Sequence, residues 1–325
     1  MLREFPLNPR LLDHATTFSQ RQAGDPAQPR RASTVILLRD GGSGGGPDGG
    51  PGGGPGGGPG GGPSGGPGGG PGGGPGGGPE AFVLRRTSSM AFAAHMHVFP
   101  GGGVDPRDCD DDVAWGGPSL TEWARRLRVP APEASGLVCA AVRELFEECG
   151  VLLAGPAGGE VVRDVSDDSW EADRLALLDR SLALSELLER RGLQLRTELL
   201  SAWSHWCTPV FEPRRYDTWF FVAALPHGQV ARHVSGEADH STWLPVREAA
   251  EGGRTGRLAM LPPTLVTLEE VAACGEIADV LAQPREPRLL MPWLVRRPDG
   301  LGVRIDLDGR GGGEPGPASG IEDAP

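Results

Sequence analysis

The sequence predicts an α/β fold, and three observations carry that prediction. Apolar runs of strand length recur at residues 32–39, 81–86, 218–225 and 241–246. Between and around them, residues 137–149 and 170–191 carry apolar side chains at steps of three and four, the period of a helix with one buried face. No apolar run approaches the ~20 residues needed to cross a bilayer, so a membrane is not an expected partner.

In chain order, Ala32–Arg39 and Ala81–Arg86 are short apolar strands able to pair as a hairpin. The tract 41–79 between them is almost wholly Gly and Pro, with proline at every fourth position from Pro47 to Pro79. Glycine maximises the entropy lost on ordering and proline removes backbone donors, so the tract is expected to be a disordered insert. Collagen needs glycine every third residue, and a phosphate loop would end in Gly-Lys-Ser/Thr; neither pattern is present. Closure entropy grows logarithmically, so about 40 extra residues cost a hairpin only about 1–2 kcal/mol.

Val98–Asp105 runs from an apolar strand end into three glycines, a turn where backbone can approach a ligand. From Leu137 to Cys149 the residues Val138, Ala141, Val142, Leu145, Phe146 and Cys149 form an apolar stripe, and Gly150 ends the helix. Trp170–Arg191 predicts one or two amphipathic helices within a helical insertion over 165–205. Thr218–Leu225 reads as a buried strand and Ser241–Val246 as another, limited by its proline. Thr264–Ala273 follows two prolines as a helix, 285–308 adds short strands, and 309–325 is expected to be disordered. The whole of 1–308 is one domain.

A net charge of −12 argues against nucleic-acid polymers, which call for basic stripes. All 31 basic residues are arginine, so any cationic phosphate ligand must be a guanidinium; the missing lysine suggests the coding bias of a GC-rich, bacterial genome. Five cysteines without C-x-x-C spacing, and no charged start followed by an apolar core, lead us to expect reduced thiols and a cytoplasmic protein. Glu322–Pro325 lacks the S-K-L peroxisomal address.

The chemistry concentrates at Arg143-Glu144-Leu145-Phe146-Glu147-Glu148. Glu147 and Glu148 follow Glu144 by three and four positions, so the three carboxylates crowd on neighbouring turns opposite the apolar stripe. A hard divalent cation would relieve that repulsion, and Mg²⁺ takes one or two carboxylates plus phosphate oxygens. The alternative is a solvated face with an Arg143–Glu147 ion pair.

Together with the glycine turn, this segment resembles the box of the Nudix family, G-x₅-E-x₇-R-E-U-x-E-E-x-G-U, with U aliphatic. Residues 143–151 match its second half completely. With Gly102 as first glycine, Asp108 stands where the family has Glu. Residues 109–142, 34 positions, then replace seven, an insertion of 27 placed at 109–135. An interrupted box resembles the branch that contains the peroxisomal coenzyme A diphosphatase of animals. Trp206-Cys207-Thr208-Pro209, Glu212-Pro213-Arg214-Arg215-Tyr216-Asp217-Thr218 and Leu261-Pro262-Pro263-Thr264 resemble it in order, over residues 32 to about 280.

The resemblance implies an α/β/α sandwich on a mixed sheet, and Mg²⁺-dependent hydrolysis of the pyrophosphate bond of coenzyme A or acyl-coenzyme A by metal-activated water, with Mn²⁺ as a substitute ion. Glu144 and Glu148 would be the principal metal ligands, joined by Glu147 and a carbonyl of Gly101 or Gly102, with Arg143 orienting a carboxylate. An acid outside the box would be the base, Glu237 or Asp239. For the substrate, Arg214 and Arg215 suit phosphate oxygens and Tyr216 or Trp219 an adenine, with Arg85 and Arg86 behind them; equally, Arg214 and Arg215 could pair with Glu212 or Asp217. His95 and His97 read as surface residues, and Cys149, Trp206 and Cys207 as packing. Two alternatives stand beside this reading: a hydrolase of another nucleoside diphosphate derivative such as NADH, ADP-ribose or a nucleotide sugar, and a non-catalytic nucleotide-binding regulator. The partner in every case is a small nucleotide; oligomeric state is not set by the sequence.

Overall fold

A computed structural model describes residues 1–20, 26–41, 77–87, 94–110, 113–234, 236, 238–298, 300–308 and 322–323. The chain opens with strand β1 (Leu2–Pro6) and helix α1 (Pro9–Gln20), neither of which the sequence reading identified. Asn8 starts α1: its Oδ1 accepts the Leu11 N–H at 2.9 Å, and Pro9 occupies the first turn, where no N–H is required. Strands β2 (Arg30–Gly41) and β3 (Gly77–Arg86) pair antiparallel with Leu38 opposite Ala81, as the hairpin reading predicts. Residues 42–76 of the Gly/Pro tract lie outside the described residues.

Short strands β4 (His97–Val98) and β5 (Gly101–Gly103) carry the glycine turn, followed by a 3-10 turn at Pro106–Cys109, strand β6 (Trp115–Gly116) and helix α2 (Leu120–Leu127). Helix α3 spans Ala131–Cys149, beginning six residues before the expected start at Leu137. Pro132 pre-sets φ in its first turn, so the last part of the expected insertion 109–135 is helix. Gly150 closes α3 with φ +66°.

Beyond β7 (Ala154–Gly155), the predicted amphipathic stretch forms two helices, α4 (Asp168–Leu178) and α5 (Leu184–Arg191). The expected helical insertion 165–205 is too long at its C-terminal end. It stops at Arg191, and β8 (Gln194–Arg196) and β9 (Ser201–Cys207) follow. Ala202, Trp203, Ser204, Trp206 and Cys207 are buried, as in a strand covered on both faces. The chain continues through β10 (Tyr216–Ala224), β11 (Ala238–Pro245), α6 (Val246–Arg254), α7 (Pro262–Cys274) and α8 (Ile277–Ala282). It ends in β12 (Leu289–Leu290), β13 (Trp293–Arg297), β14 (Gly300–Asp306) and β15 (Glu322–Asp323). The last strand, within the stretch expected to be disordered, adds a two-residue parallel ladder to β13.

The main sheet has the order β11-β3-β2-β10-β9-β12, with β5 on β2 and β4 on β3. It is mixed, since β2 and β10 run parallel while β9 and β10 are antiparallel. Successive side chains of β2 and β10 feed two separate cores, as period-two alternation requires. Val35, Leu37, Trp219, Phe221 and Ala223 pack under α2 to α5, whereas Ile36, Leu38, Phe220 and Val222 pack under α6 to α8 and α1. The predicted α/β/α sandwich is therefore present. A second sheet, β1-β14-β13-β15, flanks the latter face. Among the described residues no helix is long and apolar enough to cross a membrane.

Phe221 is fully buried and meets Trp123 of α2 edge-on at 6.0 Å between ring centroids. Phe221→Ala is expected to cost about 3–5 kcal/mol in urea unfolding; a loss below about 1 kcal/mol would show that this core does not hold the helical layer to the sheet.

Candidate active site

Strand β2 positions both halves of the site. Gly102 of β5 pairs with Ser33, and the Ser33 hydroxyl donates to the Leu137 carbonyl of α3 at 2.7 Å. The glycine turn thereby lies against the carboxylate face of α3. The Gly101 N–H donates to Glu148 Oε2 at 2.8 Å. A Cβ on Gly101 would overlap the Ser33 carbonyl, so close backbone approach demands that glycine, whereas one on Gly102 would come within 2.5 Å of the Glu144 carboxyl and displace it.

Arg143 organises the rest. All five of its N–H donors are used: Nε and Nη2 fork onto Asp108 at 2.9 Å each, Nη1 reaches Glu144 at 2.8 Å and Glu147 at 3.0 Å, and Nη2 also meets the Gly103 carbonyl at 2.8 Å. Asp108, where the family has Glu, is placed for this fork by the 3-10 turn, in which its own carboxylate accepts the Asp105 N–H at 2.8 Å. The shorter acid is thus accommodated by the turn. From the helical insertion, the buried Arg174 of α4 donates to the Glu147 carbonyl at 2.7 Å, tying α4 to the C-terminal turn of α3.

One guanidinium faces three buried carboxylates, and both glutamates among them are raised in pKa. Burial first, then the charges of Glu147 and Asp108, raise Glu144 to about 7 against the pull of Arg143. Burial likewise raises Glu147. Burial works against the Arg143 charge, but the hydrogen bonds to Asp108 and the charges of Glu144 and Glu147 outweigh it and raise its pKa. Among the described residues no three His, Cys, Asp or Glu side chains converge as a ready-made metal cage; Glu144 and Glu147 accept from Arg143, and Glu148 accepts from the Gly101 amide. The donor set is nevertheless all oxygen, buried and net negative, which is the chemistry a hard divalent cation takes.

Beside the glycine turn opens a cleft of about 380 Å³. Two stretches distant in sequence supply much of its wall: residues 206–216, through Trp206–Pro209, Phe211, Glu212 and Tyr216, and Leu261–Thr264. These contain the motifs singled out from the sequence, now brought to one place. Gly101, Gly102, Gly103 and Arg86 line it as well, as do Leu7 and Leu11 at the N-terminal end of the chain. The sequence reading missed that end, although Asn8-Pro9 ahead of Leu11 was a readable helix start.

The other candidates divide. Tyr216 lines the cleft. Arg215 does not serve as a phosphate ligand: it is buried and donates to the carbonyls of Thr208 at 3.0 Å and Ala27 at 2.9 Å, holding the loop that precedes β10. Arg214 is exposed and does not line the cleft. Arg85 pairs with Asp239 at 2.7 Å across β3 and β11, and neither residue lines the cleft. Trp219 cannot stack on a ligand, being buried against α2 with its Nε1 donating to the Leu127 carbonyl at 3.3 Å. Glu212 and Asp217 pair with histidines instead of arginines, His14 and His205 respectively. Glu237 lies outside the described residues.

Residues 117–271 match the family model described as the NUDT19 Nudix domain. The chain is 26% identical over 252 residues to the acyl-coenzyme A diphosphatase NUDT19 of Gallus gallus, covering 62% of this chain and 63% of that protein. It is 24% identical over 243 residues to the protein of the same name from Xenopus laevis, covering 62% of each. The chain thus spans a little under two thirds of the length of these relatives. Among solved structures, a NUDIX hydrolase from Alicyclobacillus acidocaldarius superimposes with a TM-score of 0.58 at 24% identity, covering 80% of this chain and 98% of that one, a likeness of fold.

Two outcomes test this geometry. Arg143→Ala leaves buried carboxylates facing one another and is expected to cost about 3–5 kcal/mol in chemical denaturation; a loss under about 1 kcal/mol would contradict the network. Glu144 is raised from 4.5 to about 7 on folding, so through that window the folded state holds more protons than the unfolded chain. Stability of the metal-free protein from this group is therefore greatest below pH 4.5 and falls as pH rises toward 7. Protons and cation compete, so a divalent ion should raise the melting temperature more above pH 7 than below pH 5. Equal shifts at both would count against the carboxylates as the ion's ligands.

Proposed function

Because the chain carries a Nudix hydrolase domain, we propose that it hydrolyses the pyrophosphate bond of coenzyme A or an acyl-coenzyme A, using Mg²⁺ with Mn²⁺ as a working substitute. The observation that carries this reading is the convergence of Trp206–Pro209, Glu212, Tyr216 and Leu261–Thr264 with the glycine turn around one cleft. The names of the two relatives point to the same substrate class.

In this reading Glu144, Glu147 and Glu148 hold the ion, with the Gly102 carbonyl as a further oxygen donor. When bound, the ion supplies a Lewis acid for phosphoryl oxygens and acidifies water near it. The residues of the chain do the rest. Arg143, itself fixed by Asp108 and Gly103, keeps Glu144 and Glu147 on the glycine-turn side of α3. The Gly101 amide does the same for Glu148. Arg86, beside the glycine turn, supplies the guanidinium for phosphate oxygens that Arg215 cannot, and Tyr216 offers a ring to the base. The apolar walls of the cleft exclude bulk water from the organic part of the substrate.

Purified protein incubated with Mg²⁺ and a panel of coenzyme A, acyl-coenzyme A, NADH, ADP-ribose and a nucleotide sugar, resolved by chromatography, tests the proposal. Coenzyme A or its thioester should yield a 3′,5′-ADP-type and a 4′-phosphopantetheine-type product. Faster cleavage of another compound would reassign the substrate, and no product from any would leave only a binding role. Glu148→Gln should abolish turnover with the melting temperature retained; near-normal activity would overturn the site assignment.

A further inference from the structure

Among the described residues that line the cleft, Glu212 is the one carboxylate and Arg86 the one cation. Glu212 is buried, its side chain only 3% exposed, and it shares the cleft lining with Leu11, Phe211 and Pro209. Burial raises its pKa, opposed by His14 and by the charge of Arg10. Its visible side-chain partner is His14 of α1, whose Nδ1 lies 3.2 Å from one carboxylate oxygen and 3.1 Å from the other. Leu11 and His14 are three residues apart, so a single face of α1 supplies an apolar wall residue and the contact to Glu212, and Leu7, just ahead of the helix, adds a second wall residue. A carboxylate accepts about four hydrogen bonds, and one imidazole N–H supplies one of them. Glu212 also lines the cleft, so a ligand there can supply a further donor.

An anion placed there would be repelled, whereas an uncharged N–H or O–H would satisfy a buried acceptor that is costly to leave unpaired. If the pyrophosphate lies at the glycine turn, as the proposed function requires, the wall bearing Glu212 meets the organic arm beyond it. We propose that Glu212 is a specificity residue, accepting a hydrogen bond from an uncharged amide N–H or hydroxyl of that arm, with His14 as its positioning residue. The inference rests on the reading of the cleft as a pyrophosphate-substrate site, and it gives that cleft a direction: phosphates toward Arg86 and the glycine turn, neutral arm toward α1.

Calorimetric binding with chelator present, which prevents turnover, separates the two readings. Coenzyme A and ADP-ribose, which carry an arm, are compared with ADP, which does not. Wild type should bind at least one arm-bearing compound more tightly than ADP. Glu212→Ala should weaken that compound roughly tenfold to a hundredfold while leaving ADP within about twofold, and Glu212→Gln, which keeps one acceptor oxygen, should fall between. His14→Ala should shift the same ratio in the same direction by less. Melting temperatures confirm that each variant is folded, and the ADP value is the internal control for the cleft. Equal weakening of ADP and the arm-bearing compounds would show a merely structural role; an unchanged ratio in Glu212→Ala, or no arm preference in wild type, would overturn the proposal. Arm-selective binding without Mg²⁺-dependent cleavage would instead leave this inference standing and remove the proposed reaction.

Discussion

The site depends on a single charged side chain whose donors are all used. Arg143 binds Asp108 through a two-pronged fork, both Glu144 and Glu147, and the Gly103 carbonyl. It thereby connects the helix, the 3-10 turn and the glycine turn. Removing such a group would expose the desolvation that the carboxylates now share, because buried like charges tolerate one another only when a cation stands between them. The same network explains why an aspartate serves at position 108. The capping turn Asp105–Asp108 brings the shorter carboxylate up to the guanidinium, so chain geometry replaces side-chain length.

Strand β2 is what makes that network reproducible. Its Ser33 is paired with Gly102 on one side and bonded to α3 through Leu137, so turn and helix are referenced to one rigid central strand. The interruption of the box leaves this intact. Its residues form α2 and the first turn of α3, and add Trp123 and Leu127 to the core under the sheet. The extra helices α4 and α5 contribute in kind, through Arg174 on the Glu147 carbonyl. Insertions here enlarge one layer of the sandwich without passing through the site.

Much of this was legible in the sequence where periodicity and spacing act locally. The carboxylate face of α3, the β2–β3 hairpin across the Gly/Pro tract and the two helices of 170–191 all follow from short-range pattern. What failed were inferences from adjacency along the chain. Arg215, Tyr216 and Trp219 look like one ligand-binding group in sequence, but β10 alternates: Tyr216, Thr218 and Phe220 line the cleft while Trp219 and Phe221 enter the opposite core. Period-two parity alone would have separated Tyr216 from Trp219. The burial of Arg215 could not be read, because its partners Ala27 and Thr208 come from different elements. For the same reason the pairing of His14 with Glu212, 198 residues apart, had no sequence signal.

The proposed function requires that the glycine turn and α3 together hold a divalent ion, with glycine at 102 leaving the space that Glu144 occupies. A Cβ at Gly102 meets only the flexible end of the Glu144 side chain, so alanine should move the carboxylate without unfolding the chain. Titration of Mn²⁺ followed by electron paramagnetic resonance, on wild type and Gly102→Ala, measures this directly. The account predicts saturable binding in wild type, weakened at least about tenfold in Gly102→Ala at an unchanged melting temperature. Equal Mn²⁺ affinity in the two proteins would contradict it.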